Sequence, residues 1–546
     1  MDGPGQAAKL PEGPLAVLGA GTMGTGIAQA AAVGAIKVLL YDAQEGAAQR
    51  AVSRVNDQLQ RLVEKGRMQA SAAEAAVRRI EPVETIEDLA PCFMAIEAAP
   101  ESLELKQRLF EEVAAACGDS IVLATNTSSL PVTAIASTVP HAERVVGMHF
   151  FNPVPLMQLV EVVAGLGTGL RAVTVAHAVA ARMGKQAIDA ADVAGFLVNR
   201  VSRPFLLEAQ RLLLEKVATH ETIDRIVRLG GGFRMGPFEL SDLVGVDVGF
   251  DIARSFYELS FHEPRWQPSP IPQRLVAAGR LGRKSGQGYY DYSGEGPYRE
   301  PDPPAVMPDS ASGAAQVLGE GPLADELRRL AKATGYEVPD RESHPDASHA
   351  IVIDTRLEDT GRGLFAYKGA KLVLCASGSL ATIGQGKDVA GFMALPPLGE
   401  THIVELTTGH GTSDETARAA AHFFHSLGKH VEWVGDTPGL VLGRIVCQLV
   451  NEAAFAVEQQ IGSVDDIDRG VRLGLNYPRG LLEWGDAIGL RLVLGVLDGL
   501  QRETGSDRYR AAPLLRRMVG EGLNGRAVGR GFHTYETGES APGGEE

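Results

Sequence analysis

Between residues 15 and 189 the chain alternates short apolar runs with longer stretches of helical spacing. Leu15–Leu18, Lys37–Tyr41, Phe93–Glu97, Val145–Met148, Leu159–Val163 and Lys185–Asp189 are too short for helices. Glycine, asparagine or acidic residues follow most of them, so they read as strands. The alanine-rich Ile27–Ala32, the charged Ala47–Val77 (long enough for two helices), Leu103–Ala116 and residues 172–183 read as the helices between. Strand and helix in alternation predict an α/β unit built on a largely parallel sheet. From Gly195 the texture changes. Leu197, Val201, Phe205, Ala209 and Leu213 recur at every fourth position, the stripe of one long core-packed helix. Asn199 lies off that stripe, about 200° from Leu197 at ~100° per residue, where it can face the first domain across a cleft.

Residues 294–322, rich in Pro, Gly, Ser and Asp, read as a linker. Ala350–Asp354 and Lys371–Cys375 are strand-like without a G-x-G-x-x-G, so 323–435 is expected to be a degenerate α/β segment without cofactor. The chain then repeats itself. Gly195–Arg200 matches Gly439–Arg444, Pro237–Asp242 matches Leu481–Asp486, and Gly282–Tyr289 matches Gly525–Phe532, with Gly443 at the place of Asn199. The expected domains are 13–193, a helical domain at 194–293, the linker, the degenerate segment, a second helical copy at 436–536 that is catalytically silent, and a disordered tail at 537–546.

Composition narrows the class. Across 546 residues the net charge is −16, and no run of like charge marks a nucleic-acid footprint. An anionic ligand must therefore be met by local positive charge or by backbone N–H groups. Four widely spaced cysteines, with no C-x-x-C, argue against a disulfide framework or zinc site. The sequence has no signal-like N-terminus and no run of ~20 apolar residues. The expectation is a soluble cytoplasmic protein with no metal, nucleic acid or membrane partner.

Two places carry candidate chemistry. Leu15–Leu18 runs into Gly19-Ala-Gly21-Thr22-Met23-Gly24, a strand–turn–helix whose glycines allow a tight turn, close approach of a pyrophosphate and helix–strand packing. Asp42, at the end of the next strand, suits ribose hydroxyls and would repel a 2′-phosphate, favouring NAD over NADP; its plain alternative is a turn residue. His149 closes the run Val145–Met148, where open α/β sheets place ligands, and Glu161 is the acid of the strand after Asn152-Pro153-Val154-Pro155. An imidazole held by a carboxylate suits proton removal from an alcohol. The plain alternatives are a core histidine and a water-facing acid.

The wording His-Phe-Phe-Asn-Pro-Val-Pro-Leu-Met followed by Leu-Val-Glu-Val-Val, together with the glycine turn and Gly195-Phe-Leu-Val-Asn199-Arg, closely resembles the 3-hydroxyacyl-CoA dehydrogenase family. The resemblance implies a Rossmann-type NAD-binding domain followed by an all-α domain of the 6-phosphogluconate-dehydrogenase-like kind, here duplicated. It implies a catalytic set of Ser128, His149, Glu161 and Asn199, with Ser128 and Asn199 also on the substrate, and Lys65 near the CoA phosphates. It adds Glu101, Lys106 and Asn152 to Gly19, Gly21, Thr22, Met23, Gly24 and Asp42 as cofactor contacts. Length and duplication look most like the members acting on 3-hydroxyadipyl-CoA in phenylacetate degradation, with 3-hydroxybutyryl-CoA as the alternative; Arg200 and Arg203 are candidates for an ω-carboxylate. Family members with one helical domain dimerise through it, so the second copy is expected to act as an internal partner, with a higher oligomer open. Readings from other classes are a relative that kept the fold and lost turnover, and a dehydrogenase of free hydroxy acids or sugars.

Overall fold

A computed structural model describes residues 10–339, 350–358 and 360–536. The expected tail at 537–546 lies outside the described residues. The chain forms two compact units, one of residues 1–200 with 460–475, the other of 201–459 with 476–546.

The first unit is built on a sheet that has eight strands among the described residues: β1 Leu15–Leu18, β2 Val38–Tyr41, β3 Ile80–Val83, β4 Met94–Glu97, β5 Val122–Thr125, β6 Val145–Phe150, β7 Leu159–Ala164 and β8 Gln186–Ala191. Their order is β3-β2-β1-β4-β5-β6-β7-β8. Every neighbouring pair is parallel except β6 and β7. Helices Thr22–Val33, Ala47–Glu64, Ala70–Arg78, Leu103–Cys117 and Leu170–Arg182 connect the parallel strands, as crossovers require. Between β6 and β7 the prolines forbid a helix, so the chain doubles straight back. Leu15, Val17, Ile96, Val122 and Val146 are fully buried. The helix Val464–Leu475, from far down the sequence, packs on β7 and β8.

The second unit holds most of both helical copies, without residues 195–200 and 460–475, and a second sheet. The stripe beginning at Leu197 is not one helix: it is split into Val198–Val201 and Arg203–Leu214. Pro204 has no N–H to give the carbonyl four residues back, and the helix restarts with proline in its first turn. The two copies close in the same way. Asp242 accepts the Tyr289 and Tyr290 N–H groups and the Tyr292 hydroxyl, while Asp486 accepts those of Phe532, His533 and Tyr535. Gly288 and Gly531 are required there, since a Cβ would fall 2.0 and 1.9 Å from the respective carboxylates.

Helix Leu442–Glu458 of the second copy packs against Arg203–Leu214 of the first. Between them Arg444, fully buried, binds Glu208 at 2.5 Å, Glu215 at 2.7 Å and the Tyr509 hydroxyl at 2.6 Å.

The second sheet runs β14-β13-β12-β11-β10-β9. Its strands are β9 Ala315–Leu318, β10 Ile351–Asp354, β11 Ala370–Leu374, β12 Ala390–Met393, β13 Ile403–Thr408 and β14 His430–Trp433. Only β12 and β13 are antiparallel among its pairs. It repeats β1 and β4–β8 of the first sheet, with no counterparts of β2 and β3 among the described residues. Strand β9 lies inside the stretch expected as linker, and Gly319 and Gly321 after it repeat the spacing of Gly19 and Gly21. No helix among the described residues is long and apolar enough to cross a membrane.

Candidate active site

Strands β1, β2, β4, β5 and β6 are mutually parallel, so their carboxyl ends share one edge, with the reversal of strand order between β1 and β4. Ligands of open α/β sheets sit at that point. After β1, Gly19 has φ +102°, and a Cβ at Gly24 would lie 1.8 Å from the Gly19 carbonyl oxygen, so helix Thr22–Val33 can start this close only on glycine. Around Gly21 nothing approaches within 4 Å of a Cβ. That helix N-terminus has no side-chain cap and no acid in its first turn, leaving N–H groups for phosphates. Asp42 accepts the Ala20 N–H at 2.7 Å and the Gln44 N–H at 2.8 Å, tying the end of β2 to the glycine turn. The turn, the uncapped helix and Asp42 together fit a dinucleotide.

After β4 and β5 a polar network holds the loop Asn126–Ser129. Glu101 accepts the Thr127 hydroxyl at 2.6 Å, the Ser128 and Ser129 N–H groups at 3.1 and 3.2 Å, and the Ser129 hydroxyl at 2.9 Å. Burial pulls this carboxyl upward, but those donors and the Lys106 charge outweigh it and hold it below the usual carboxylate range. Lys106 is 1% exposed, 2.6 Å from Glu97 and 3.3 Å from Glu101. Ser128 is exposed, as are Asn152 and Lys65; Lys65 caps the far end of helix Ala47–Glu64, and no other candidate is brought to it. Sequence reasoning missed Glu97, which takes Lys106 and the Thr125 hydroxyl. It also missed Asp192, which binds the N–H groups of Val132 and Thr133 and the Thr133 hydroxyl just beyond the serine loop. Neither carries a motif; an acid at the end of an apolar strand is the one signal.

His149 stands opposite Glu161 in the β6–β7 register, with Nδ1 2.6 Å from Oε2. Glu161 is fully buried and His149 is 7% exposed. A carboxylate so placed costs several kcal/mol unless its lone pairs are satisfied. Its other oxygen accepts the N–H groups of Leu197 at 3.0 Å and Val198 at 2.8 Å, so one side chain orients the imidazole and pins the helical turn that carries half-buried Asn199. The rings of Phe151 and Phe196 lie 4.7 and 5.8 Å from the imidazole. Arg200 is buried in this unit; Arg203, in the other, lies over the Phe256 ring at 5.7 Å. Among the described residues no cluster of His, Cys, Asp or Glu could hold a metal.

Register identifies the counterparts in the second sheet. Met393 stands opposite Glu405 where His149 stands opposite Glu161. Glu405 again accepts two helix N–H groups, those of Val441 and Leu442. Ala376 occupies the place of Ser128, and Gly443 that of Asn199.

Fold and edge together define a class, the dinucleotide-dependent dehydrogenases. Residues 14–193 match the family model described as 3-hydroxyacyl-CoA dehydrogenase, NAD binding domain. Residues 195–292 and again 439–535 match that of the C-terminal domain. The chain belongs to the 3-hydroxyacyl-CoA dehydrogenase family and is an NAD-dependent enzyme of that kind, with one NAD-binding domain match and two C-terminal ones. It is 37% identical over 509 residues to 3-hydroxyadipyl-CoA dehydrogenase of Escherichia coli K12, covering 92% of this chain and 97% of that one. A probable 3-hydroxybutyryl-CoA dehydrogenase of Bacillus subtilis is 40% identical over 276 residues, 50% of this chain and 96% of its own. A crystal structure of 3-hydroxybutyryl-CoA dehydrogenase from Escherichia coli K12 substr. MG1655 superposes with a TM-score of 0.80 at 34% identity, covering 94% of this chain and 100% of that one.

Proposed function

We propose that His149 is the base that takes the C3 hydroxyl proton of a 3-hydroxyacyl-CoA, with Glu161 stabilising the imidazolium and Ser128 and Asn199 holding the substrate oxygen. The 2.6 Å contact between buried Glu161 and His149 carries this reading. The carboxylate accepts a hydrogen bond from Nδ1–H, which fixes the tautomer with Nε2 unprotonated and free to accept the proton from substrate. Bound NAD supplies the hydride acceptor. Gly19, Gly21, Thr22, Met23, Gly24 and Asp42 would hold it, with Glu101, Lys106 and Asn152 as further cofactor contacts, and Lys65 would lie near the CoA phosphates.

The preferred substrate is 3-hydroxyadipyl-CoA, within cytoplasmic catabolism of phenylacetate. Support comes from the length and duplication shared with the E. coli enzyme of that name, over 97% of its length. Arg200, next to Asn199 in sequence, is the candidate cation for the distal carboxylate within the first unit. The second reading, 3-hydroxybutyryl-CoA, is favoured by the full-length structural match, a 3-hydroxybutyryl-CoA dehydrogenase by name. Initial rates with NAD on both esters decide between them: a higher kcat/KM for 3-hydroxyadipyl-CoA is expected, and the reverse order removes the dicarboxylate reading. Inhibition by free CoA separates both from a dehydrogenase of free hydroxy acids.

The second helical copy stands in for the partner subunit, giving one active site per chain. The Arg444–Glu208 contact and the packing of helix Leu442–Glu458 on Arg203–Leu214 support this internal pairing.

A further inference from the structure

The first unit is completed by residues 460–475, which by sequence belong to the second helical copy. Their attachment is specific. The Ala191 N–H, at the end of β8, donates to the Ile461 carbonyl at 3.0 Å, and helix Val464–Leu475 lies on β7 and β8.

Three glycines of this segment meet residues that touch the His149–Glu161 pair or flank it. A Cβ at Gly462 would fall 2.5 Å from Leu197 Cδ2; one at Gly470 would fall 2.8 Å from Val198 Cγ2 and 3.0 Å from Ile188 Cδ1; one at Gly474 would fall 2.7 Å from Leu159 Cδ2 and 3.4 Å from Phe151 Cε1. Leu197 and Val198 are the two residues whose N–H groups bind Glu161, and Phe151 is the ring 4.7 Å from His149.

The equivalent helix of the first copy, His220–Gly231, packs on β13 of the second sheet. There Gly230 and Gly231 meet Leu442, the residue whose N–H binds Glu405. The two copies thus exchange helices. At the positions of Gly462 and Gly470, however, the first copy carries Ala218 and Ile226. Glycine at these two positions is thus peculiar to the helix backing the sheet that has the histidine, whereas Gly474 has Gly230 at its place.

We infer that residues 460–475 of the histidine-less copy are a positioning element for the active copy: by seating Leu197, Val198 and Phe151 they set the geometry of Glu161 against His149 and the placement of Asn199. The second copy is retained in part because the dyad leans on it. This rests on the reading of His149 and Glu161 as the reacting pair.

The test is Gly470→Ala, which puts a methyl against Val198 Cγ2, and Gly470→Ile, which installs the residue of the other copy. Both substitutions raise helix propensity, so they do not weaken the helix itself. In the full chain kcat should fall roughly tenfold or more, since displacements of about 1 Å at a reacting pair cost about 100-fold. KM for NAD should stay within about twofold, because the glycine turn after β1 is not touched. Val198→Ala removes the opposing methyl and should restore most of the kcat of Gly470→Ala. Gly520→Ala, in the same copy with nothing within 4 Å of its Cβ, should have no effect. Unchanged kcat in both Gly470 variants overturns the inference, as does a loss that Val198→Ala fails to rescue or one matched by an equal rise in KM for NAD. His149→Gln, assayed in parallel, separates the two readings. If it is inactive while the Gly470 variants are normal, only the positioning role falls; if it is fully active, the underlying reading falls.

Discussion

Met393 stands across the β12–β13 pair from Glu405 as His149 stands across β6–β7 from Glu161. The comparison separates two jobs of one carboxylate. Glu405 has kept the helix N–H groups and has no imidazole, so pinning the helix start is sufficient reason for the fold to keep an acid there. In the first unit the same acid does that and also faces a base.

His149→Gln should lower kcat by ~10² to 10⁴, the usual contribution of a positioned general base, with NAD binding nearly unchanged. Single-turnover reduction of acetoacetyl-CoA by NADH, alongside NADH titration, measures both. Wild-type turnover would remove His149 from the mechanism.

Glu405 is buried without a counter-charge among the described residues, and burial pushes its carboxyl up from 4.5 to about 8 against the opposing pull of the Leu442 and Val441 N–H groups. Between those values the folded chain holds a proton that the unfolded chain has lost, so stability is greatest at the acid end and declines as pH rises through about 8. The decline from this group should approach ~1.4 kcal/mol per pH unit inside the window. Trp266, Trp433 and Trp484 all lie in the second unit, so tryptophan fluorescence in urea reports its unfolding alone. Glu405→Gln should flatten the curve between pH 6 and pH 8; an unaltered slope would show that the carboxyl titrates elsewhere.

Arg444→Met should destabilise the second unit by ~3–5 kcal/mol, because it leaves Glu208 buried and unpaired. Burial raises the Glu208 carboxyl, yet the charges of Arg444, Arg508 and Arg211 hold it below its ordinary value. Adding Glu208→Leu to Arg444→Met should recover much of the loss, as apolar replacement of a whole buried pair commonly does. Urea midpoints for the singles and the double give the coupling.

Asp42→Ala should lower kcat/KM with NAD, since it removes both a ribose acceptor and the tie from β2 to Ala20. With a basic residue introduced beside it, the NAD/NADP ratio of kcat/KM should narrow. An unchanged ratio would take Asp42 out of the cofactor site.

A chain ending after Tyr292 loses the helix that covers Arg203–Leu214, and should self-associate in sedimentation at concentrations where the full chain does not. A well-behaved truncated monomer would leave the internal-partner reading without support.

Much of the sheet was legible because its strands are short apolar runs ending in punctuation: Leu15–Leu18 before glycine, Lys37–Tyr41 before Asp42, Val145–Met148 before His149. The turn before Leu159–Val163 was legible from two prolines that resist helix, but the antiparallel pairing it produces came only with the structure. What escaped was held by distance or disguise. Asp192 reaches back to Val132 and Thr133 across some sixty residues, which no local pattern records. Strand β9 is four residues set in a Gly/Pro/Ser-rich stretch, so composition read it as linker. Pro204 was visible, but the four-residue stripe on either side of it argued for continuity and concealed the break. Glu405 has no histidine in sequence to draw attention to it, and only strand register identifies it.

The exchanged helix also orders events at the ribosome. Strands β1 to β8 and the turn carrying Asn199 emerge first, yet the face of β7 and β8 stays uncovered until the chain has been made past Leu475. At ~5–20 residues per second that interval is tens of seconds. During it Val198, Leu197 and Phe151 lack their contacts with residues 460–475, so the nascent N-terminal domain should be a chaperone client, and the enzyme should acquire activity only when synthesis is nearly complete.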